Sequence, residues 1–134
     1  MVGIIVVSHG SMAEGMLEAA RMIVGEMEGI VAVSLQEADA VENLMDRISE
    51  AIQGVDTGEG VLILVDVFGA SPFNASARLA MVRDKIEVIS GVNLPMLLEL
   101  AIQHSEADLD ALVQTALDAG PSSIRTLSQT LKKG

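Results

Sequence analysis

The feature that most constrains the fold is a set of short, uninterrupted apolar runs along the chain. Val2–Val7 and Val61–Val65 are dense in β-branched residues and show no alternation of apolar and polar positions. Runs of this kind are typical of strands covered on both faces, as in a parallel sheet between two layers of helices. Ile30–Leu35 and Ile86–Ile89 show weaker versions of the same pattern. The sequence therefore predicts a buried sheet that contains these four strands.

Helical patterns separate and follow the apolar runs. Apolar residues recur at helical spacing in five segments: Ser11–Gly25, Asp39–Gln53, Ser71–Val82, Leu94–Gln103 and Ala107–Ala119. Ser71 is expected as the N-cap of the third helix, with Pro72 in its first turn, and Gly120-Pro121 is expected to end the fifth. Strands that alternate with helices predict an α/β fold, with an open, mainly parallel sheet covered by helices on both faces. Ser123–Leu127 is predicted as a last short strand.

Composition bounds the number of domains and the classes of partner. The 134 residues suffice for one domain and no linker or repeat divides them, so we expect a single domain over residues 1–134. Lys and Arg total 8 against 19 Asp and Glu, and the resulting formal charge of −11 repels nucleic-acid phosphates and anionic lipid headgroups. The chain has no cysteine and no apolar run near the ~20 residues of a membrane span. We therefore expect a cytoplasmic protein that binds no nucleic acid and does not insert into membranes.

Small, polar, glycine-containing segments follow three of the predicted strands. They are Ser8–Ser11, Asp66–Asn74 and Ser90–Met96. Open parallel sheets bind ligands outside the carboxyl ends of their strands, where the loops lead into helices. Each loop also leads to a helix N-terminus, whose free N–H groups and positive dipole end favour an anion. The sequence therefore predicts an anion-binding site at this edge of the sheet.

His9 and Asp66 are the candidate reactive residues at this edge. Imidazole can serve as a nucleophile, a general base or a metal ligand, and His9 is the only one of the two histidines in these loops. An Asp66 carboxylate that accepts one ring N–H would fix the tautomer and leave the other nitrogen free to attack. Two simpler roles stay open: a neutral histidine bonded within the turn, and an aspartate that caps it. His104 is predicted to lie on the surface at the end of the fourth helix, so we expect no metal site.

Neutral groups complete the predicted site. Ser71, Asn74 and Asn93 could donate hydrogen bonds to an anion, although an N-cap or turn role explains each equally well. Gly10 and Gly69 would let the backbone approach a ligand closely. None of the three loops contains Lys or Arg, the residues that clamp phosphate in kinase and phosphatase sites. A phosphoryl group held briefly on a histidine and then passed on suits such a site better than tight binding or hydrolysis.

Three ordered motifs at the strand ends carry a family resemblance. They are Val6–Gly10 with Ala13–Gly15, Val65-Asp66 with Gly69–Asn74, and Ile89–Met96. From Val2 to about Leu127, the chain resembles the mannose-type enzyme IIA component of the bacterial phosphoenolpyruvate-dependent sugar phosphotransferase system. Ala70 stands where a second glycine is frequent in that family, and Phe68 where a tryptophan or another bulky residue often sits.

The resemblance implies a phosphohistidine relay that uses no cofactor. His9 would accept the phosphoryl group on the ring nitrogen that is not bonded to Asp66. The donor would be the phosphorylated histidine-containing phosphocarrier protein, and the acceptor a histidine of enzyme IIB. The expected phosphate contacts are Gly10, Gly69, Ala70, Ser71 and Asn93.

The resemblance also bears on assembly. It implies a homodimer in which Ser123–Leu127 crosses onto the partner's sheet, and no fused IIB domain is expected after this segment. Met12, Phe68 and Leu94 are candidates for the surface on which partner proteins dock, with burial in the core as the other interpretation.

Three other functions fit parts of the pattern. A regulatory module of the same fold would use phosphorylated His9 as a signal to a kinase or a transcription activator, and the residues do not separate this role from transport. A small tetrapyrrole metal chelatase shares an early His-Gly-Ser motif, but it needs a second histidine that His104 is poorly placed to supply. A phosphohistidine phosphatase would need an arginine beside the histidine, where this chain has Ser8. We expect the phosphocarrier, with the regulatory module as the alternative.

Overall fold

Four parallel strands form one sheet in the computed structural model, which describes residues 1–132. The strands are β1 (Gly3–His9), β2 (Ile30–Leu35), β3 (Val61–Val65) and β4 (Ile86–Ser90), in the spatial order β2-β1-β3-β4. The helices are α1 (Met12–Val24), α2 (Val41–Val55), α3 (Ser71–Val82), α4 (Leu94–Gln103), α5 (Leu109–Ser122) and α6 (Leu127–Lys132). All three strand pairs are parallel. The predicted α/β fold is therefore confirmed.

Helices cover both faces of the sheet, because successive side chains of a strand point to opposite sides. Ile4 and Val6 of β1 join one apolar cluster with residues of α1, α4 and α5. Ile5 and Val7 join a second cluster with residues of α2 and α3. Every residue of β3 is buried as well. The central strands thus contribute side chains to two cores, which explains why their sequences are apolar without interruption.

The strand order brings the ends of β1 and β3 together. The chain passes from β1 to β2 on one side and returns to β3 on the other side of β1. Val7 lies opposite Val65 in the parallel register, so His9 and Asp66 follow neighbouring positions of the sheet. Ligands of open α/β sheets bind at the carboxyl edge where the direction of winding reverses. The fold therefore carries both candidate residues to this point.

Several helix boundaries differ from the predicted ones. Ala70, not Ser71, occupies the N-cap position of α3, and Ser71 is its first helical residue. Helix α5 begins after Asp108, whose side chain caps its first turn, and continues through Pro121 to its end. The prediction that Gly120-Pro121 ends this helix is wrong, because a proline so near the end removes only one intrahelical bond. Among residues 1–132, every helix falls short of the length and apolar character that a membrane span requires.

The C-terminal segment of the single chain is not a strand. Residues 124–126 have no regular structure, and α6 follows them. The Thr126 hydroxyl accepts the Gln129 N–H at 3.1 Å, so a local cap favours a helix here. The predicted strand at Ser123–Leu127 is therefore wrong for the single chain. In the predicted dimer the pairing strand belongs to the second copy, so the exchange itself stays a prediction.

His104 is buried, and the prediction of a surface position is wrong. Only 4% of this residue is exposed. Its Nδ1 donates to the Val2 carbonyl at 2.8 Å, and the Val2 N–H donates to the His104 carbonyl at 3.3 Å. A backbone carbonyl buried at a strand end needs a donor, which the imidazole supplies. These bonds tie the end of α4 to the start of β1, at the edge of the sheet opposite His9.

Candidate active site

His9 and Asp66 are in direct contact although 57 positions separate them in the sequence. The His9 Nδ1 lies 2.7 Å from the Asp66 Oδ2, and the His9 backbone N–H donates to the same oxygen at 2.9 Å. The Val67 N–H donates to the other carboxylate oxygen, Oδ1, at 2.9 Å. Three N–H groups therefore fix the carboxylate, and the carboxylate in turn orients the imidazole.

The pKa of the Asp66 carboxyl lies below its ordinary value of 3.8. Burial is the largest single influence and acts in the opposite direction, raising the pKa because the carboxylate loses hydration. The hydrogen bonds from the His9 N–H and ring, the electrostatic attraction to His9 and the bond from Val67 together outweigh burial. Asp66 is therefore an ionised carboxylate at neutral pH.

The charge of Asp66 determines which nitrogen of His9 is free. An ionised carboxylate only accepts hydrogen bonds, so the proton of the shared bond belongs to the His9 Nδ1. In the neutral ring, Nε2 then carries the lone pair. No group in residues 1–132 bonds to Nε2, and 51% of the His9 side chain is exposed, against 7% for Asp66. The site thus presents one nucleophilic nitrogen on a half-exposed ring.

Two glycines shape the loops beside this pair. Gly10 has a φ of 55° and Gly69 a φ of 82°, both in the left-handed region that other residues rarely adopt. A Cβ at either position would meet no atom within 4 Å. Glycine is therefore required here by conformation, and the space beside each backbone stays open to a ligand. Ala70, with a φ of −91°, does not need to be glycine.

The start of α3 offers unpaired donors next to the His9–Asp66 pair. Among residues 1–132, the N–H groups of Gly69, Ala70 and Ser71 donate to no other group, and neither does the Ser71 hydroxyl. First-turn N–H groups of a helix are left without intrahelical partners and are the groups that bind anions. The loop after β3 can therefore accept an anion by hydrogen bonding alone.

Comparison with known proteins identifies the family. Residues 3–117 match the family model EIIA-man, described as the PTS system fructose IIA component, in which PTS denotes the sugar phosphotransferase system. The chain belongs to the mannose-type enzyme IIA family. The resemblance that the three sequence motifs indicate is thereby confirmed.

Curated relatives of this enzyme IIA chain carry the names of different sugars. The mannose-specific EIIAB component of Escherichia coli K12 is 35% identical over 127 residues, which are 94% of this chain and 39% of that protein. The fructose-specific EIIA component of Bacillus subtilis 168 is 29% identical over 133 residues, which are 99% of this chain and 91% of that protein. The chain therefore spans about two fifths of the first relative and most of the second.

Solved structures with the same fold cover nearly the whole enzyme IIA chain. The phosphotransferase system component EIIA of Streptococcus agalactiae matches with a TM-score of 0.89 and 26% identity, over 96% of this chain and 99% of that one. The mannose/sorbose-specific IIA subunit of Enterococcus faecalis matches with a TM-score of 0.85 and 28% identity, over 94% of each chain. The likeness thus extends past residue 117, where the family model ends.

Two asparagines of the enzyme IIA motifs make structural contacts. Asn93 Oδ1 accepts an N–H of the first turn of α4 at 3.0 Å, and its Nδ2 donates to the Gly120 carbonyl at 3.0 Å and to Ser123 Oγ at 3.4 Å. Asn74 Nδ2 donates to the Gly69 carbonyl at 3.2 Å. Asn93 therefore joins α4 to α5 and has both amide hydrogens engaged, whereas Asn74 holds the loop that contains Gly69.

Ser8 is a residue of the site that sequence reasoning missed. It is fully buried at the end of β1. Its hydroxyl accepts the Ala13 N–H at 2.7 Å and donates to the His9 carbonyl at 3.1 Å. Ser11, at the N-cap position of α1, makes no such cap bond with its side chain. The signal in the sequence was a polar residue that ends an apolar strand directly before His9.

Exposed apolar side chains flank the enzyme IIA site. Met12 follows β1, Val67 and Phe68 follow β3, and we call these three residues the apolar rim. Phe68 is 73% exposed and packs against Phe73, with ring centroids 4.4 Å apart and the ring planes tilted by 43°. Met12 and Phe68 thus lie on the surface at the edge that contains His9. Leu94, the third predicted docking residue, instead packs against the core.

The chelatase alternative lacks its second histidine at this site. His104 is bonded to Val2 at the opposite edge of the sheet and is buried. Within the described part of the chain, no three His, Cys, Asp or Glu residues form a group that could hold a metal ion. The second histidine that a chelatase would need therefore lies away from His9.

Proposed function

We propose that this enzyme IIA chain is a cytoplasmic phosphocarrier of a sugar phosphotransferase system. The phosphorylated histidine-containing phosphocarrier protein gives its phosphoryl group to His9, and His9 passes the group to a histidine of enzyme IIB. The observation that carries the proposal is the 2.7 Å contact between the His9 Nδ1 and the Asp66 Oδ2, which leaves Nε2 as the free nitrogen. Membership of the enzyme IIA family supports the class of reaction.

Each proposed transfer exchanges one P–N bond for another. The lone pair of His9 Nε2 attacks phosphorus while the donor P–N bond breaks, and the bonding electron pair returns to the donor imidazole. The phosphorylated ring gains positive charge, which the Asp66 carboxylate beside Nδ1 offsets. The second step repeats the displacement with the imidazole of enzyme IIB as nucleophile. Because both bonds are phosphoramidates, each step is close to isoenergetic, and the protein has mainly to position the reacting atoms.

The proposed phosphate contacts are neutral. Gly69 and Ala70 contribute backbone N–H groups, and Ser71 contributes its N–H and hydroxyl. Gly10, whose own N–H donates to the Leu35 carbonyl, contributes open space beside the ligand. The support is the lack of other partners for the donors after β3 and the open space beside both glycines. Asn93 is assigned a cap role instead, because its amide hydrogens are already bonded. N–H and hydroxyl groups bind a phosphoryl group less tightly than Lys, Arg or a metal ion would, so the group stays only briefly, as a relay requires.

We infer that both partner proteins dock on the apolar rim in turn. The rim lies at the sheet edge that ends in His9, and the His9 ring is half exposed, so a partner histidine can approach it. Small, partly apolar contacts are typical of transient complexes. One surface used by two partners fits a carrier that must release each of them.

We also propose that the chain forms a homodimer through the C-terminal residues and the free edge of β4. Ile124, Leu127 and Leu131 are exposed apolar residues in the single chain. Ile124 also lines a pocket of about 250 Å³, together with Ile89, Met96 and Leu117. The Val88 N–H donates to the carboxylate of its neighbour Glu87, as a group on a free strand edge does. A second copy of the chain would cover this apolar surface.

The test of the phosphocarrier is intact mass spectrometry after incubation with phosphoenolpyruvate, enzyme I and the phosphocarrier protein. The wild-type chain should gain the mass of one phosphoryl group and lose it on brief acid treatment, because phosphohistidine is acid-labile. His9→Ala should gain nothing, since no other side chain in the site carries a free imidazole nitrogen.

His104→Asn is the matched control for this test. The variant removes the second imidazole but keeps an N–H donor for the Val2 carbonyl, so the chain should fold and accept the phosphoryl group like the wild type. Equal labelling of His9→Ala and the wild type would contradict the proposal. So would labelling that is lost in His104→Asn and retained in His9→Ala.

A further inference from the structure

We propose that Ser8 is a positioning residue for phosphoryl transfer, acting through the backbone of His9. The inference rests on the function proposed above and adds a residue to that site. Ser8 is fully buried and does not bond to the imidazole. Its hydroxyl joins the His9 carbonyl to the first turn of α1 through the Ala13 N–H.

The backbone of His9 is held by three different parts of the fold. Its N–H donates to Asp66 Oδ2 at 2.9 Å, and its carbonyl accepts the Ser8 hydroxyl at 3.1 Å. The next N–H, that of Gly10, donates to the Leu35 carbonyl of β2 at 2.9 Å. Within residues 1–132, Ser8 supplies the side-chain bond on the carboxyl side of His9. The Ser8 hydroxyl and the Leu35 carbonyl therefore together restrain the His9–Gly10 peptide group, which Asp66 does not reach.

The restraint matters because the following residue is glycine. Gly10 has a φ of 55°, and a Cβ built on it would meet no atom within 4 Å, so no side-chain packing holds this residue beyond the bond from its N–H to Leu35. Glycine has the widest conformational freedom of any residue. A bond to the His9 carbonyl compensates for that freedom at the residue whose Nε2 must lie in line with phosphorus and the leaving nitrogen.

Ser11 does not duplicate the bonds of the Ser8 hydroxyl. Ser8→Ala removes the side-chain partner of both the His9 carbonyl and the Ala13 N–H. Ser11 occupies the N-cap position of α1, yet its side chain makes no cap bond. The two serines are three residues apart, and only the Ser8 side chain forms these hydrogen bonds. Ser11→Ala is therefore a matched control for Ser8→Ala.

The experiment measures single-turnover transfer from the phosphorylated phosphocarrier protein at varied donor concentration. A typical hydrogen bond corresponds to about a tenfold change in rate, so Ser8→Ala should lower the maximal rate about tenfold. The half-saturating donor concentration should stay unchanged, because Ser8 is buried and lies outside the apolar rim. Ser11→Ala should match the wild type in both quantities.

Amide hydrogen exchange gives a readout that does not depend on phosphorylation. In Ser8→Ala, the His9 and Gly10 amides should lose protection relative to Val6 in the middle of β1. If Ser8 is only a helix cap, protection will fall at Ala13 alone and the maximal rate will equal that of Ser11→Ala, which overturns the proposal. A wild-type chain that accepts no phosphoryl group refutes the proposed function, and exchange at His9 still decides whether Ser8 fixes its backbone.

A second variant covers the case in which Ser8→Ala does not fold. Ser8→Cys keeps the volume of the buried side chain but forms weaker hydrogen bonds, and the chain contains no other cysteine that could pair with it. Its maximal rate should lie between those of Ser8→Ala and the wild type. A rate equal to the wild type, with unchanged protection at His9, overturns the proposal in the same way.

Discussion

Asp66 gives a single oxygen atom, Oδ2, to both the backbone N–H and the ring Nδ1 of His9. The same interaction therefore fixes where the histidine lies, which tautomer it adopts and how the charge on its ring is balanced. Asparagine would preserve the size of this side chain while removing its charge and replacing one acceptor oxygen with an NH₂ donor. Asp66→Asn therefore separates the effect of the Asp66 charge from the effect of its side-chain volume.

Asp66→Asn should slow phosphoryl transfer to His9 about 10- to 100-fold, because hydrogen bonds to an ionised group contribute more than neutral ones. Single-turnover labelling measures the rate, and circular dichroism verifies that the variant is folded. A rate equal to that of the wild type would remove Asp66 from the mechanism.

The same variant should alter how stability depends on pH. The pKa of Asp66 is lower in the folded chain than its ordinary value of 3.8, so the folded state binds this proton less readily than the unfolded state. The stabilisation from this group is therefore complete above about pH 4 and is lost as the pH falls through the folded-state pKa. In urea unfolding between pH 3 and 7, the free energy of unfolding should fall more steeply below pH 4 for the wild type than for Asp66→Asn. If the free energy of unfolding has the same pH dependence in both proteins, folding does not lower the pKa of Asp66.

At the scale of the elements, reciprocal bonds between His104 and Val2 join the end of α4 to the start of β1. His104→Ala should lower the free energy of unfolding by about 2–4 kcal/mol, since it leaves the Val2 carbonyl unpaired and opens a cavity. His104→Asn retains a donor and should cost less than half as much. Chemical denaturation at constant pH measures both, and equal losses would show that packing alone, not the hydrogen bond, explains the burial of His104.

Strand positions were predictable from sequence because a strand in contact with two helical layers has no polar face. The unbroken runs in β1 and β3 follow directly from that environment. Helix ends were less predictable, because capping depends on which side chain the fold brings within reach. Ser8 caps the start of α1 from the preceding strand while Ser11 remains unbonded, and α5 continues through Pro121.

The candidate site was predictable in part for a related reason. His9 and Asp66 each end an apolar run, and the carboxyl ends of parallel strands share one edge of a sheet. Their contact also requires β1 and β3 to be neighbours, and the sequence did not indicate the strand order. The burial of His104 and the bonds of Asn93 to α5 depend on long-range packing, so the sequence predicted neither.

At the scale of the whole molecule, the apolar C-terminal residues and the free edge of β4 form the proposed dimer surface. Ile124 is 81% exposed in the single chain, so Ile124→Asp should leave the fold intact. Burying the new charge at an interface should weaken the dimer at least about tenfold. Sedimentation equilibrium measures the change in dissociation constant.

Met22→Asp is the control for the dimer prediction. Met22 is 84% exposed on α1, and its replacement adds the same charge at a surface outside the proposed interface. Its dissociation constant should match that of the wild type. Equal weakening by both variants would indicate general charge repulsion, and no change in Ile124→Asp would place the interface elsewhere.

The neighbouring positions of β1 and β3 have a consequence for how the chain matures. His9 precedes its carboxylate partner by 57 residues in the chain, and Asp66 reaches it only when the two strands align. A nascent or partly unfolded chain therefore contains the imidazole without the group that orients it. On the proposed function, His9 should therefore become able to accept a phosphoryl group only once β1 and β3 have paired.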